Sequence, residues 1–121
     1  VGLVDTRDVG EAAAVVLTEP GHEGRAYALT GSKALTYDEV AETLSAAAGR
    51  TIRYIRVSPE EAAAGARGAG YPEWLVSALL EMDADTRAGG GATVTQELER
   101  LLGRPPRSLE EFARDHAHLW R

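Results

Sequence analysis

Arg25-Ala26-Tyr27-Ala28-Leu29-Thr30, the run from Thr36 to Ala48, and Thr51-Ile52-Arg53-Tyr54-Ile55-Arg56-Val57 decide the expected fold. In the first segment Ala26, Ala28 and Thr30 alternate with Tyr27 and Leu29, the period of a strand, and Gly31-Ser32 ends it. The middle run opens on Thr36-Tyr37-Asp38-Glu39, a capping box in which threonine caps the helix and Glu39 reaches back. Val40, Leu44 and Ala47 or Ala48 then share one face up to Gly49. The third segment is rich in β-branched and aromatic residues and reads as a second strand. A strand, a helix and a strand in this order predict a parallel β-α-β unit. Parallel pairs belong to larger sheets covered on both faces, and two strands alone are marginal. Val1 to Val4 resembles the end of another buried strand, with no obvious partner in the chain. The expected fold class is therefore α/β, mostly helical, with a small parallel β-α-β unit whose sheet continues upstream of Val1.

Outward from this unit the chain reads as helices. Asp8 is the expected N-cap of a helix from Val9 to Leu17, which stops at Thr18-Glu19-Pro20-Gly21. Ser58-Pro59-Glu60-Glu61 is a second capping box, followed by a helix that Gly65, Gly68 and Gly70 weaken. Pro72 opens a helix with an apolar stripe of Trp74, Leu75, Ala78, Leu79 and Met82, ended by Gly89-Gly90-Gly91. Thr95 to Leu102 is a short helix before Gly103, and Arg104-Pro105-Pro106 is a stiff connector. Ser108-Leu109-Glu110-Glu111 is a third capping box, opening a final helix that carries Leu109, Phe112, His116 and Leu119.

Composition narrows the function. The 121 residues suit one small domain, and 26% charged with 44% hydrophobic residues is a globular profile. The net charge of -6 argues against nucleic acid and a polybasic membrane anchor. No apolar run approaches the roughly 20 residues of a membrane span. There is no cysteine, which excludes disulfides, thiolate metal sites and thiol nucleophiles. The chain opens on Val1 without a signal-like stretch, so a cytoplasmic fragment, processed product or cut domain is expected. Lys33 is the sole lysine and the one candidate for a Schiff-base amine.

Four runs in order carry a resemblance. They are Val4 to Ala13 (VDTRDVGEAA), Gly24 to Gly31 (GRAYALTG) with Leu35 to Ala41 (LTYDEVA), Gly49 to Tyr54 (GRTIRY), and Gly103 to Phe112 (GRPPRSLEEF). Together they resemble the C-terminal part of NmrA-like atypical short-chain dehydrogenases. Gly10 stands where that family usually has alanine. The family includes NAD(P)H-dependent quinone and azo-compound reductases and redox-sensing regulators. The resemblance implies that residues 1–121 are a single substrate-side lobe of a Rossmann-type protein whose N-terminal dinucleotide-binding half is absent. It implies NAD(P)H as cofactor of the intact protein, with none held by this chain alone. It also implies that Rossmann half and a small-molecule electron acceptor as partners, with self-association left open. Hydride would then pass from the dihydronicotinamide to an acceptor oriented by this lobe. A non-catalytic interaction or redox-sensing module is the alternative.

The residues name no catalytic group. The Tyr-x-x-x-Lys pair of typical short-chain dehydrogenases is missing: Gly31, Ala41, Ser58 and Leu75 follow Tyr27, Tyr37, Tyr54 and Tyr71 at that spacing. His116 and His118, two apart on a helix, face nearly opposite ways, so no metal site is expected. Ser58, His22 and Asp5 make a triad only on paper, with no nucleophile elbow. Asp5 and Asp8 read better as a turn and a cap than as an acid–base pair. Gly89-Gly90-Gly91 follows a helix and suits a cap and hinge rather than a phosphate cradle. The candidate substrate-binding wall is Trp74, Leu75, Ala78, Leu79 and Met82, a flat apolar surface suited to aromatic acceptors, set against an ordinary core role for Trp74. Trp120 reads as a packing anchor for the last helix.

Overall fold

A computed structural model describes residues 1–121 as six α-helices and two 3-10 turns. The helices are α1 (Thr6–Thr18), α2 (Tyr37–Ala48), α3 (Pro59–Gly68), α4 (Glu73–Arg87), α5 (Glu97–Leu102) and α6 (Leu109–Asp115). All three capping boxes form as read, at Thr36/Glu39, Ser58/Glu61 and Ser108/Glu111. Each satisfies two orphan main-chain donors with two side chains. Gly49 and Gly103 end α2 and α5 in the left-handed conformation, which glycine adopts without steric cost.

Two expectations fail locally. Asp5, not Asp8, caps α1: its carboxylate accepts the Arg7 N–H at 2.8 Å, and the helix starts three residues earlier than Asp8 would place it. The final helix is shorter than its pattern. It stops at Asp115, His116 leaves helical geometry, and a 3-10 turn spans Ala117–Leu119.

The parallel β-α-β unit does not form, and the chain contains no strand. The reason lies in what satisfies the main chain. A ladder needs a second backbone alongside, and here side chains take its place. The Ala28 N–H donates to Glu97 Oε2 at 2.5 Å, and its carbonyl accepts the Thr95 hydroxyl. Ser45 Oγ accepts the Ile52 N–H at 2.8 Å and donates to the Ile52 carbonyl at 3.0 Å. The connector from Thr51 to Val57 is held on α2 by stacking of Tyr54 on Tyr37, centroids 5.0 Å apart, and by the Arg56–Asp38 ion pair. Val1 does find a partner within the chain. Its N donates to the Leu35 carbonyl at 2.5 Å, and the Leu35 N–H returns to the Val1 carbonyl at 2.8 Å. The Gly2 N–H donates to the Gly91 carbonyl at 2.7 Å.

Packing is pairwise: α1 against α5, α2 against α6, α3 against α4. Each pair buries an alanine (Ala12; Ala41 and Ala113; Ala63), a side chain small enough for close helix approach. Leu98 of α5 and Val76 of α4 are the largest apolar side chains fully enclosed. Only 11 of 121 residues are buried, so the core is thin. The accessible surface is 8123 Å², against about 6,300 Å² for a compact monomer of this mass.

Candidate functional site

The apolar stripe of α4 divides in two. Trp74, Ala78 and Met82 recur every fourth residue and form one outward face, with Trp74 72% exposed. That exposure removes the core role weighed for Trp74. Leu75 and Leu79 are half-buried, and Leu79 is turned towards α3.

Leu79 alone of the five lines a cavity of about 220 Å³ between α3, α4 and the connector before α3. Tyr54, Ile55 and Val57 close it on the connector side, with Ala62 and Ala66 from α3 and Val76 and Leu80 from α4. Its polar groups are Asp83 and Arg87, which pair with each other at 2.8 Å. Arg87 also donates to the Val57 carbonyl at 3.3 Å, tying the connector to α4. The arrangement offers apolar walls and one charged edge. Tyr54, Ile55 and Val57 were missed as site residues because the expected second strand had absorbed them. Their β-branched and aromatic character was visible; their exposure was not.

The other candidates are occupied elsewhere. Asp5 takes four hydrogen bonds from the Arg7 side chain and main chain at 2.7–3.2 Å. The Arg7 side-chain hydrogen bond holds the Asp5 carboxyl below its ordinary range, against the effect of burial. Asp8 is fully buried. Burial pushes its carboxyl up, and the Arg104 side chain and Arg107 main-chain N–H outweigh that and hold it down. These carboxylates brace the fold. His22 Nδ1 lies 2.7 Å from the Tyr27 hydroxyl, and the Ser58 hydroxyl is taken up in capping α3. His116 stacks on Phe112 at 4.4 Å, with Nδ1 2.9 Å from the Phe112 carbonyl.

The glycine triplet does not fit a phosphate. Gly89 is left-handed and Gly90–Ala92 forms a 3-10 turn after α4. The space where a Gly90 Cβ would stand lies 2.1 Å from an Asp85 carboxylate oxygen, and an anion there repels a pyrophosphate.

No protein-family model matches the chain. Individual proteins do. The chain is 43% identical over 117 residues to an NAD(P)H azoreductase from Xenophilus azovorans, covering 97% of this chain and 41% of that protein. The crystal structure of NADPH-dependent quinone oxidoreductase QOR2 from Escherichia coli superposes with TM-score 0.85 at 30% identity, covering 100% of this chain and 43% of that one. Triphenylmethane reductase from Citrobacter sp. gives TM-score 0.81 at 31% identity, covering 97% and 40%. A second structure of the Escherichia coli enzyme holds NADPH. The fold is thus that of the C-terminal part of NAD(P)-binding Rossmann-like reductases. Within that class, the chain is homologous to the C-terminal portion of NmrA-like atypical short-chain dehydrogenases. It spans about two fifths of the length of the relatives it matches. No helix is long and apolar enough to cross a membrane.

Proposed function

We propose that this chain is the acceptor-side lobe of an NAD(P)H-dependent reductase of flat, electron-poor aromatic molecules, quinones or azo compounds among them. It works docked against a dinucleotide-binding half. Residues 1–121 form the single substrate-side lobe. Alignment with an azoreductase over 97% of the chain and with a quinone oxidoreductase over 86% supports the class. The surface supports the docking: the chain exposes about 1,800 Å² more than a compact monomer of its mass, on the scale of an inter-domain interface.

The chain's own contribution is binding and orientation. The outward face of Trp74, Ala78 and Met82, with Leu75 and Leu79 behind it, forms a wall for a planar acceptor. An indole face gains from stacking on an electron-poor ring, and apolar neighbours exclude water from it. The cofactor, held by the other half, supplies the reducing equivalent.

The test joins this chain to the dinucleotide-binding half of the Escherichia coli quinone oxidoreductase. NADPH binding is followed by nicotinamide fluorescence, and turnover with a quinone by nicotinamide absorbance. The isolated chain is expected to leave the absorbance unchanged and the fusion to consume NADPH. Turnover by the isolated chain, or a folded fusion that binds NADPH but reduces no acceptor, would reject the proposal. The second result would favour a non-catalytic sensing lobe.

A further inference from the structure

A second cavity, also about 220 Å³, shares no residue with the α4 wall and stands independently of the reductase reading. It lies where the segment entering α1, the turn before α2 and the start of α6 converge. Its body is apolar, made by Leu3, Leu35, Leu109 and Phe112, and its polar edge includes Ser32 and Lys33.

The three segments are tied together around it, yet its centre is open. Val1 and Leu35 exchange two hydrogen bonds. Gly31 sits so close to Leu3 that a Cβ would fall 2.0 Å from the Leu3 carbonyl oxygen. Lys33 Nζ reaches Glu110 Oε1 of α6 at 3.1 Å. The void is therefore built into the frame.

The remaining hydrogen-bonding capacity at its edge decides what it takes. Asp5 is committed to Arg7, and Arg107 to Asp8 and Glu11. The Ser108 hydroxyl caps α6. The Ser32 hydroxyl has no partner, and the Lys33 ammonium uses one of three N–H donors. The Lys33–Glu110 pair is half exposed on both sides, so exchanging Glu110 for another anion costs little. Lys33 can only donate, and an acidic group above an apolar body matches it.

We propose that this cavity binds a small amphiphilic anion: an aromatic or branched aliphatic body in the pocket, with one carboxylate or sulfonate held by Lys33 and Ser32.

The test is a titration of the isotope-labelled 121-residue chain with 4-methylbenzenesulfonate, read from its amide resonances. The expected result is saturable binding with shifts centred on Gly31, Lys33, Leu109 and Phe112. Lys33→Met should weaken it about tenfold, the scale of one hydrogen bond to a charged group, and Lys33→Arg should retain it. The neutral 4-methylbenzenesulfonamide should bind about tenfold more weakly than the anion. Lys33 is exposed, so its variants keep the fold, and Leu109→Trp, which fills the void, should abolish binding at an unchanged melting profile. No saturable shift, shifts centred on α4 instead, or equal affinity in Lys33→Met would overturn the proposal.

Discussion

Asp8 and Arg107, 99 positions apart, are joined twice: the Arg107 main-chain N–H reaches Asp8 Oδ2 at 2.6 Å, and its guanidinium reaches Oδ1. Arg104 adds a third bond to the same carboxylate at 2.7 Å, and both arginines continue to Glu11. Asp8 has no exposed surface, while the arginines keep about a third of theirs. This cluster locks α1 to the proline-rich connector before α6. Two of the runs that carry the family resemblance, VDTRDVGEAA and GRPPRSLEEF, are thus two sides of one ionic latch.

Removing Asp8 leaves the Arg107 main-chain N–H without its acceptor and the two arginines with Glu11 as their remaining carboxylate. Asp8→Ala is expected to destabilise the chain by about 3 kcal/mol, the lower end for breaking a buried pair, because the arginines can turn to water. Urea unfolding at neutral pH measures it. Glu73→Ala breaks the exposed Arg67–Glu73 pair and should leave the midpoint nearly unchanged. Equal effects of the two substitutions would contradict the latch.

The same carboxylates set a pH dependence. Asp5 and Asp8 both have folded-state values depressed below the ordinary aspartate value of 3.8. A depressed carboxylate adds stability that is complete above its unfolded value and is lost as pH falls through its folded one. Stability should therefore hold from pH 7 to about pH 5 and fall below about pH 4. In Asp8→Asn the fall below about pH 4 should be shallower, because one linked proton is gone. Urea midpoints at a series of pH values test it; parallel curves would remove Asp8 from the linkage.

What the sequence disclosed was local. Thr36 and Glu39, Ser58 and Glu61, and Ser108 and Glu111 bind neighbours three residues away, so four-residue patterns were enough to place them. The strands were a different matter. An alternating pattern such as Arg25 to Thr30 states which side chains share a face; it does not say that another backbone will lie beside them. Here Thr95 and Glu97, about 70 positions on, satisfy Ala28 instead. Asp8 was misassigned to a cap for the same reason, since its partners lie at the far end of the chain. The α4 stripe was legible as a helix face, whereas the outward turn of Trp74 depends on α3 taking the other side.

Two glycines should respond with opposite signs to the same change. Gly10 lies inside α1 with open space around its missing Cβ. Gly10→Ala should stabilise by about 0.5–1 kcal/mol, since alanine loses less backbone entropy in a helix. At Gly31 the Leu3 carbonyl oxygen blocks the position at 2.0 Å, so Gly31→Ala should destabilise by about 2 kcal/mol through a forced shift of the backbone. Thermal melting of both variants decides it, and a stable Gly31→Ala chain would show that the first segment is free to move.

Trp74 separates binding from folding. Its side chain is 72% exposed in the chain, so Trp74→Ala should alter unfolding free energy by no more than about 0.5 kcal/mol. Joined to a dinucleotide-binding half, the same variant should raise the KM for a quinone by about fivefold, the scale of one lost aromatic contact, with kcat at saturation retained. Leu79→Ala should behave differently. Leu79 is half-buried against the α3 cavity, and its loss should lower stability by about 2 kcal/mol while also weakening acceptor binding. An unchanged KM in Trp74→Ala, alongside a raised one in Leu79→Ala, would move the acceptor from the outer face of α4 into the cavity behind it.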